Sequence, residues 1–322
     1  VVFKPLDILA LLALVLIALL IGLSIVSFRF MARKRVRRPE RIEARLLEKG
    51  EIKREWIDAP WVEASLASPC GYALSVRGLP GTNGRLVILH HGITWNWMAA
   101  LKYAAFLHEA GYSVALFDAR GHGDSGGKGT SFGIFESRDL AAVADWARAC
   151  LPSDAGLSAF GVSLGAASVL EYAPLEPGLV AVVADCSFSS ADRELDYHLA
   201  RLFVPAFLRR PVRFAVDFLC RKLDGFSLRQ ASPERAALKT GAAILFIHGL
   251  GDDYVPTAMS EAMAEARRER RPEAMTELFL VPGAGHAKAH RADPEAYEAM
   301  VLSFLDRAYA QAPVVDSPLP LC

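Results

Sequence analysis

The sequence predicts an α/β domain, a mostly parallel, doubly wound sheet with helices on both faces, preceded by one membrane-length helix. Three observations predict it. Short apolar runs alternate with longer segments of helical period through most of the 322-residue chain, the pattern of strand–helix–strand units. A glycine-flanked serine, Gly161-Val162-Ser163-Leu164-Gly165, stands between one such run and one such segment. Residues 8–28 carry no charge and are almost entirely Leu, Ile, Ala and Val.

About twenty such residues cross the hydrocarbon core as a helix, so residues 1–30 are expected to form a transmembrane anchor. Arg29, Arg33, Lys34, Arg35, Arg37, Arg38 and Arg41 follow it, whereas Lys4 is the only basic residue before it. Positive charge marks the cytoplasmic side, which assigns the rest of the chain to the cytoplasm. A cleaved signal peptide would show the opposite charge order and a shorter apolar core. Residues 31–55 read as a basic juxtamembrane linker, with a helix over 39–49 on its alternating charge and Leu46-Leu47.

The main domain is expected over residues 56–310. Residues 56–62 and 72–77 read as a strand pair joined near Pro69-Cys70-Gly71. The continuous apolar run 243–247 suits a strand buried on both faces, 156–160 reads as a short buried strand, and 180–184 and 278–281 read as further strands. Helices are expected at 98–109, 135–149, 164–173, 259–268 and 294–309. Residues 187–237 interrupt the alternation with apolar residues at helical spacing, mixed with Arg193, Arg201, Arg209, Arg210, Arg213 and Arg221. They form either a helical cap over the site or a packing helix pair with solvated arginines. The proline-bearing residues 311–322 read as a disordered tail.

The serine motif carries the chemistry. G-x-S-x-G between strand and helix is a nucleophile elbow, whose tight turn lifts Oγ clear of the backbone. A serine nucleophile needs a base and a group to orient that base. Downstream, the run 243–247 ends in His248-Gly249-Leu250-Gly251-Asp252-Asp253, and the run 278–281 leads into Pro282-Gly283-Ala284-Gly285-His286. Serine, acid and histidine thus follow in the order this fold demands, each past a strand. Asp252 ranks first as the acid, ahead of Asp185 and Asp253. His290 sits in charged surroundings beside Lys288 and Arg291, and His248 reads as support for its strand end. His122 and Asp124 read as structural. Trp95, Asn96 and Trp97 are placed to line a pocket or to pack locally.

The whole chain is neutral, with 36 basic and 36 acidic residues. Residues 29–41 hold seven basic residues against Glu40, a net +6, leaving −6 elsewhere. No basic face remains for nucleic acid, and the basic run reads as a collar for anionic lipid headgroups. Cys70, Cys150, Cys186, Cys220 and Cys322 are an odd set without metal-ligand spacing, best read as reduced thiols. Neither a metal nor a phosphate-cradling loop nor any other cofactor is expected, because the glycines at 121–127 match no nucleotide fingerprint. No obligate protein partner is indicated.

Taken in order, Leu86 to Thr94 with its His90-His91-Gly92, the stretch Phe117-Asp118-Ala119-Arg120-Gly121-His122-Gly123-Asp124-Ser125-Gly126, the elbow, His248 to Pro256, and Gly283 to His286 resemble the α/β-hydrolase superfamily. The nearest likeness is to its bacterial serine aminopeptidase-like or lipase-like serine-hydrolase branch, over residues 56–309. The resemblance implies the α/β-hydrolase fold, with Ser163 as nucleophile, Asp252 as orienting acid and His286 as base. It also implies that the backbone N–H groups of Ile93 and Leu164 form the oxyanion hole. The expected activity is hydrolysis of carboxylic esters, lipid or acyl-thioester, at a bacterial inner membrane. The competing readings are a serine aminopeptidase or amidase and a catalytically silent membrane-proximal scaffold.

Overall fold

The computed structural model describes residues 4–312. Its centre is an eight-stranded sheet in the order β1-β2-β4-β3-β5-β6-β7-β8. The strands are β1 Val62–Ala67, β2 Ala73–Leu79, β3 Arg85–His90, β4 Ser113–Phe117, β5 Gly156–Val162, β6 Leu179–Asp185, β7 Ala243–Gly249 and β8 Thr276–Val281. The pairs β1/β2 and β2/β4 are antiparallel and the other pairs are parallel. The helices are α1 Pro5–Ala32, α2 Pro39–Glu48, α3 Arg54–Ile57, α4 Leu101–Glu109, α5 Glu136–Cys150, α6 Leu164–Tyr172, α7 Ala191–Arg201, α8 Ala206–Leu219, α9 Pro233–Ala237, α10 Thr257–Arg270, α11 Ala289–Ala292 and α12 Pro294–Gln311.

The strands read as unbroken apolar runs because both faces are covered. In β3, Val87 and Leu89 join the core under α4 and α12, while Leu86 and Ile88 join the core under α5, α6 and α10. Leu245 and Ile247 of β7 divide from Ile244 and Phe246 in the same way. The chain leaves β3 toward β4 and returns to the other side of β3 as β5, so a crevice opens past the carboxyl ends of β3 and β5. Such switch points are where open α/β sheets bind ligands.

The expected strand over 56–62 is corrected. Arg54–Ile57 is one helical turn, and β1 begins only at Val62, pairing Val62 with Gly78 and Ala67 with Ala73. Trp56 and Trp61 supply the apolar signal by packing on the core rather than by lying in a pleat, and Trp61 Nε1 donates to the Trp56 carbonyl at 3.0 Å. The remaining helices begin and end within a few residues of expectation. Of the expected tail, Gln311 ends α12, and residues 313–322 with Cys322 lie outside the described residues.

Helix α1 is 28 residues long, and its length and composition suffice to cross a membrane. Pro5 to Leu19 are exposed, but Ser24, Ser27, Phe28, Met31 and Ala32 are buried where the helix packs on α8. Thr130 N–H donates to the Ala32 carbonyl at 3.1 Å. The carboxyl end of α1 is therefore part of the domain's packing. Residues 187–237 supply α7, α8 and α9 between β6 and β7, and five of their six arginines are paired rather than merely solvated. Arg213 meets Asp192 at 2.7 Å and Asp196 at 2.9 Å, and Arg209 meets Asp196 at 3.1 Å, which clamps α8 to α7. Arg193 pairs with Glu234, Arg201 with Asp253 and Arg221 with Asp217.

Candidate active site

Ser163 caps α6 with φ 57° and ψ −114°, a strained conformation for a residue with a Cβ. The flanking glycines make it possible. A Cβ on Gly161 would overlap the backbone of Gly165 and Ala166, and one on Gly165 would overlap the carbonyl of His90. Strand β5, helix α6 and the end of β3 are thus packed backbone to backbone around the serine. Ser163 N–H donates to the Asp185 carbonyl at 2.8 Å, which ties the turn to the end of β6.

His286 Nε2 lies 2.9 Å from Ser163 Oγ, and its Nδ1 lies 2.8 Å from Asp252 Oδ2. The three side chains named from the sequence, separated by as many as 123 residues, converge in one hydrogen-bonded line. Asp252 Oδ1 accepts the Tyr254 and Val255 N–H groups, both at 2.9 Å, and Oδ2 also lies 3.2 Å from His248 Nε2. Burial alone would raise this carboxyl, but the hydrogen bonds from His248 and His286, the His286 charge and the Val255 N–H together hold it well below the usual carboxylate range. His248 Nε2 faces two acceptors, Asp252 and the Val255 carbonyl at 3.0 Å, so the proton sits there and Nδ1 accepts from Ser260 Oγ. His248 is therefore a second donor to Asp252, a contact that the sequence reading as strand-end support missed.

The rival acids point elsewhere. Asp185 Oδ2 accepts from the Tyr297 hydroxyl at 2.9 Å, and burial raises its carboxyl. Asp253 is exposed and meets Arg201 at 3.4 Å. His290 pairs with Glu298 at 2.9 Å, away from the serine. Cys186, at a positive φ of 51°, brings its thiol near the Asp252 and His286 donor atoms, all within 4.8 Å. Burial pushes that thiol well up, away from the thiolate a metal would take.

After β3 the chain turns over Ser163. The backbone N–H groups of Ile93 and Leu164 have no acceptor among the described residues, and both residues line a small, mostly apolar slot beside Ser163. The loop holding Ile93 is framed by histidines. His91 Nδ1 donates to the Gly92 carbonyl at 2.8 Å while its Nε2 accepts from Ala119 N–H at 3.0 Å. His122 Nδ1 donates to the Arg120 carbonyl and its Nε2 accepts from Thr94 N–H at 3.1 Å. Burial lowers both imidazoles, which suits these donor–acceptor pairs. Asp118 accepts from Trp97 N–H and Asp124 N–H at 2.9 Å each, so the Asp-x-x-x-His stretch is a brace for this loop. Asn96 caps the turn at Trp97 by accepting from Met98 N–H.

Sequence reasoning missed what the juxtamembrane segment does. A cleft of about 410 Å³ opens over Ser163 and His286, and Lys34, Arg37, Arg45, Leu46, Lys49 and Glu51 form one wall of it. Trp95 lines this cleft, whereas Trp97 is packed into the core. Lys34 Nζ contacts the Tyr254 hydroxyl, and the Tyr254 ring lies 4.8 Å from the His286 ring. Burial and the nearby Arg37 lower the Lys34 amine to about 8, against the pull of Glu194. Arg37 donates to Thr94 Oγ1 at 2.9 Å and its guanidinium lies 4.4 Å from the Trp95 ring. Of the seven expected collar residues, Arg33, Lys34 and Arg37 turn toward the domain, and Arg29, Arg35, Arg38 and Arg41 are exposed.

Residues 81–228 match the family described as Serine aminopeptidase, S33. The uncharacterized protein YqkD of Bacillus subtilis is 31% identical over 244 residues, 74% of this chain and 77% of that one. The uncharacterized protein Rv2307c of Mycobacterium tuberculosis is 30% identical over 223 residues, 69% of this chain and 68% of that one. Among solved structures, the Pyrococcus furiosus esterase Pf2001 superposes with a TM-score of 0.62 at 23% identity, covering 80% of this chain and 96% of that one. The Pyrococcus horikoshii acylaminoacyl peptidase superposes at 0.58 and 14% identity, over 80% of this chain and 43% of its own. The strand order, the elbow and these matches agree: the chain belongs to the α/β hydrolases, in the serine aminopeptidase, S33, family.

Proposed function

We propose that the protein is a membrane-anchored serine hydrolase of carboxylic esters or thioesters. The observation that carries this reading is the line Asp252–His286–Ser163, with bonds of 2.8 and 2.9 Å, ending beside two backbone N–H groups with no other acceptor among the described residues. His286, its Nδ1 proton held by Asp252, accepts the Ser163 proton at Nε2 as Oγ attacks the acyl carbon. The Ile93 and Leu164 N–H groups receive the negative oxygen; one such donor is worth about 2.7–4 kcal/mol in the transition state. His286 then protonates the departing alcohol or thiol, and water repeats the sequence on the acyl-serine.

An esterase and a peptidase both share this fold, so the fold does not choose between them. Charge does. An aminopeptidase must hold a free ammonium. Of the carboxylates lining the two spaces at Ser163, Glu51 is shared by Lys102 at 3.1 Å and Arg291 at 3.8 Å. Glu194 meets His198 at 2.9 Å through Oε1 and faces Lys34, and its buried Oε2 has no hydrogen-bond partner among the described residues. Fluorophosphonate labelling tests the reading. Wild type is expected to label and Ser163→Ala to remain unlabelled, whereas a folded wild type that resists labelling would leave the silent-scaffold reading in its place.

Anchoring is supported by α1 and by the face of α8 beside it. The uncharged residues 8–28 make a helix about 31 Å long, close to the thickness of the hydrocarbon core. Leu20 and Leu23 of this stretch pack with the cluster built on α7 and α8, so α8 is held at the depth of the interface. Its outer face carries Phe207, Phe214 and Phe218, spaced seven and four residues apart and 75%, 58% and 50% exposed. In-plane insertion of that face accounts for them. The exposed arginines favour the cytoplasmic side for the domain. With Phe214→Trp in proteoliposomes, emission from the new tryptophan should be quenched by lipids brominated near the headgroup. Emission indifferent to those lipids would detach α8 from the bilayer.

A further inference from the structure

The wall that the juxtamembrane segment contributes is almost uniformly cationic. Seven basic side chains line the 410 Å³ cleft against the single carboxylate of Glu51. Glu51 is already shared between Lys102 and Arg291. Lys34, Arg37, Arg45, Lys49 and Lys288 have no carboxylate within 4 Å among the described residues. Arg37 and Arg45 lie 4.4 and 5.7 Å from the same Trp95 ring, two guanidinium groups gathered on one aromatic without a counter-charge. Burial and the Arg45 charge together lower the Arg37 guanidinium, the signature of a crowded positive site. Like charges in a concave site repel, and an anion placed among them relieves the repulsion and forms charge-assisted hydrogen bonds.

Two spaces meet at Ser163, and they differ in kind. The slot at the end of α1, lined by Ile93, Phe132, Leu164, Phe188 and Val255, is mostly apolar, with Lys34 and Glu194 also in its lining. The cationic cleft is the one that His286 lines. Because His286 delivers its proton to the leaving group, the leaving half of a substrate departs into the cationic cleft, and the acyl carbonyl faces Ile93 and Leu164.

Resting on the serine-hydrolase reading, we propose that the preferred substrates are acyl esters or thioesters whose alcohol or thiol half carries an anionic group, a phosphate or a carboxylate, held by Arg37, Arg45, Lys49 and Lys34. The bond broken is the acyl–oxygen or acyl–sulfur bond. Ser163 takes the acyl group, and the anionic alcohol or thiol leaves with the proton from His286.

The test uses the full-length protein in nonionic detergent micelles and three decanoyl esters, of glycerol, choline and glycerol phosphate. No anionic lipid is present, so discrimination can arise only from the substrate's own charge. The expected result is a kcat/KM for the phosphate ester about tenfold or more above that for the glycerol ester, with the choline ester lowest, the size expected of one charge-assisted contact. The ratio should shrink with added salt. It should fall about tenfold in Arg45→Gln/Lys49→Gln and stay unchanged in Arg35→Gln/Arg38→Gln, which alters exposed arginines outside the cleft by the same net charge.

Equal rates on all three esters would overturn the proposal. So would a preference that survives Arg45→Gln/Lys49→Gln, or one that arises only in vesicles containing anionic lipid, since the cations would then be reading the bilayer. Failure of the hydrolase reading looks different: no ester is cleaved and the fluorophosphonate does not label.

Discussion

Asp252→Asn is expected to lower kcat by about 10,000-fold while leaving the fold in place. The magnitude is that of holding the base in the wrong tautomer, and the surroundings of Asp252 dictate that tautomer. Oδ1 accepts two backbone N–H groups, from Tyr254 and Val255, and neither can become an acceptor. An asparagine must therefore set its carbonyl oxygen there and present its NH₂ where Oδ2 now stands. That NH₂ faces His286 Nδ1, which must then accept, leaving the proton on Nε2 and no lone pair for Ser163. The same NH₂ also meets the Nε2–H of His248, a donor facing a donor that costs about 1–3 kcal/mol of stability. Single-turnover hydrolysis and thermal unfolding of the purified variant measure the two effects. A variant that retains full kcat would remove Asp252 from the mechanism.

Removing residues 1–38 should lower kcat/KM on the order of 100-fold, the penalty for a displaced site, whereas removing residues 1–19 should leave it unchanged in detergent. The first cut strips Phe28 and Met31 from the core beneath α8, takes Lys34 from Tyr254, and takes Arg37 from Thr94 next to Ile93. Each of the two core side chains is worth about 1.5–3 kcal/mol buried, which corresponds to roughly 10 °C or more in Tm for a domain of this size. Of the described residues, the second cut removes only Lys4 and exposed turns of α1. Kinetics and melting curves for both truncations, side by side, separate an anchor that merely localises from one that completes the site. Equal activity in both would return α1 to the first role.

What could be read in advance divides along a physical line. Ser163, Asp252 and His286 stood out because each lies on a loop whose backbone is constrained locally: glycines flank the serine, and a strand ends a few residues before the acid and the histidine. Strands buried on both faces announced themselves by composition alone. Arg37 meets Thr94 across 57 residues and Lys34 meets Tyr254 across 220, and no periodicity encodes such contacts. A basic run after an apolar helix looks the same whether its side chains face lipid or a cleft. One of the two readings of 187–237 left its arginines solvated, because nothing in the sequence shows that Arg209 and Arg213 of α8 find Asp192 and Asp196 on α7. Residues 56–62 misled because tryptophans that pack against a core give the same apolar signal as a strand.

The six residues between α1 and α2 are pinned at Arg33 to Asp224, at Lys34 to Tyr254 and at Arg37 to Thr94. A tether fastened at three points has no swing. In a bilayer, Ser163 would work at a fixed height and a fixed tilt, and the enzyme's reach would be a plane rather than a hemisphere. Substrates would arrive by lateral diffusion instead of being fished from the bulk. Inserting a flexible spacer into those six residues would free the height of Ser163 and loosen the cleft wall that Lys34 and Arg37 form.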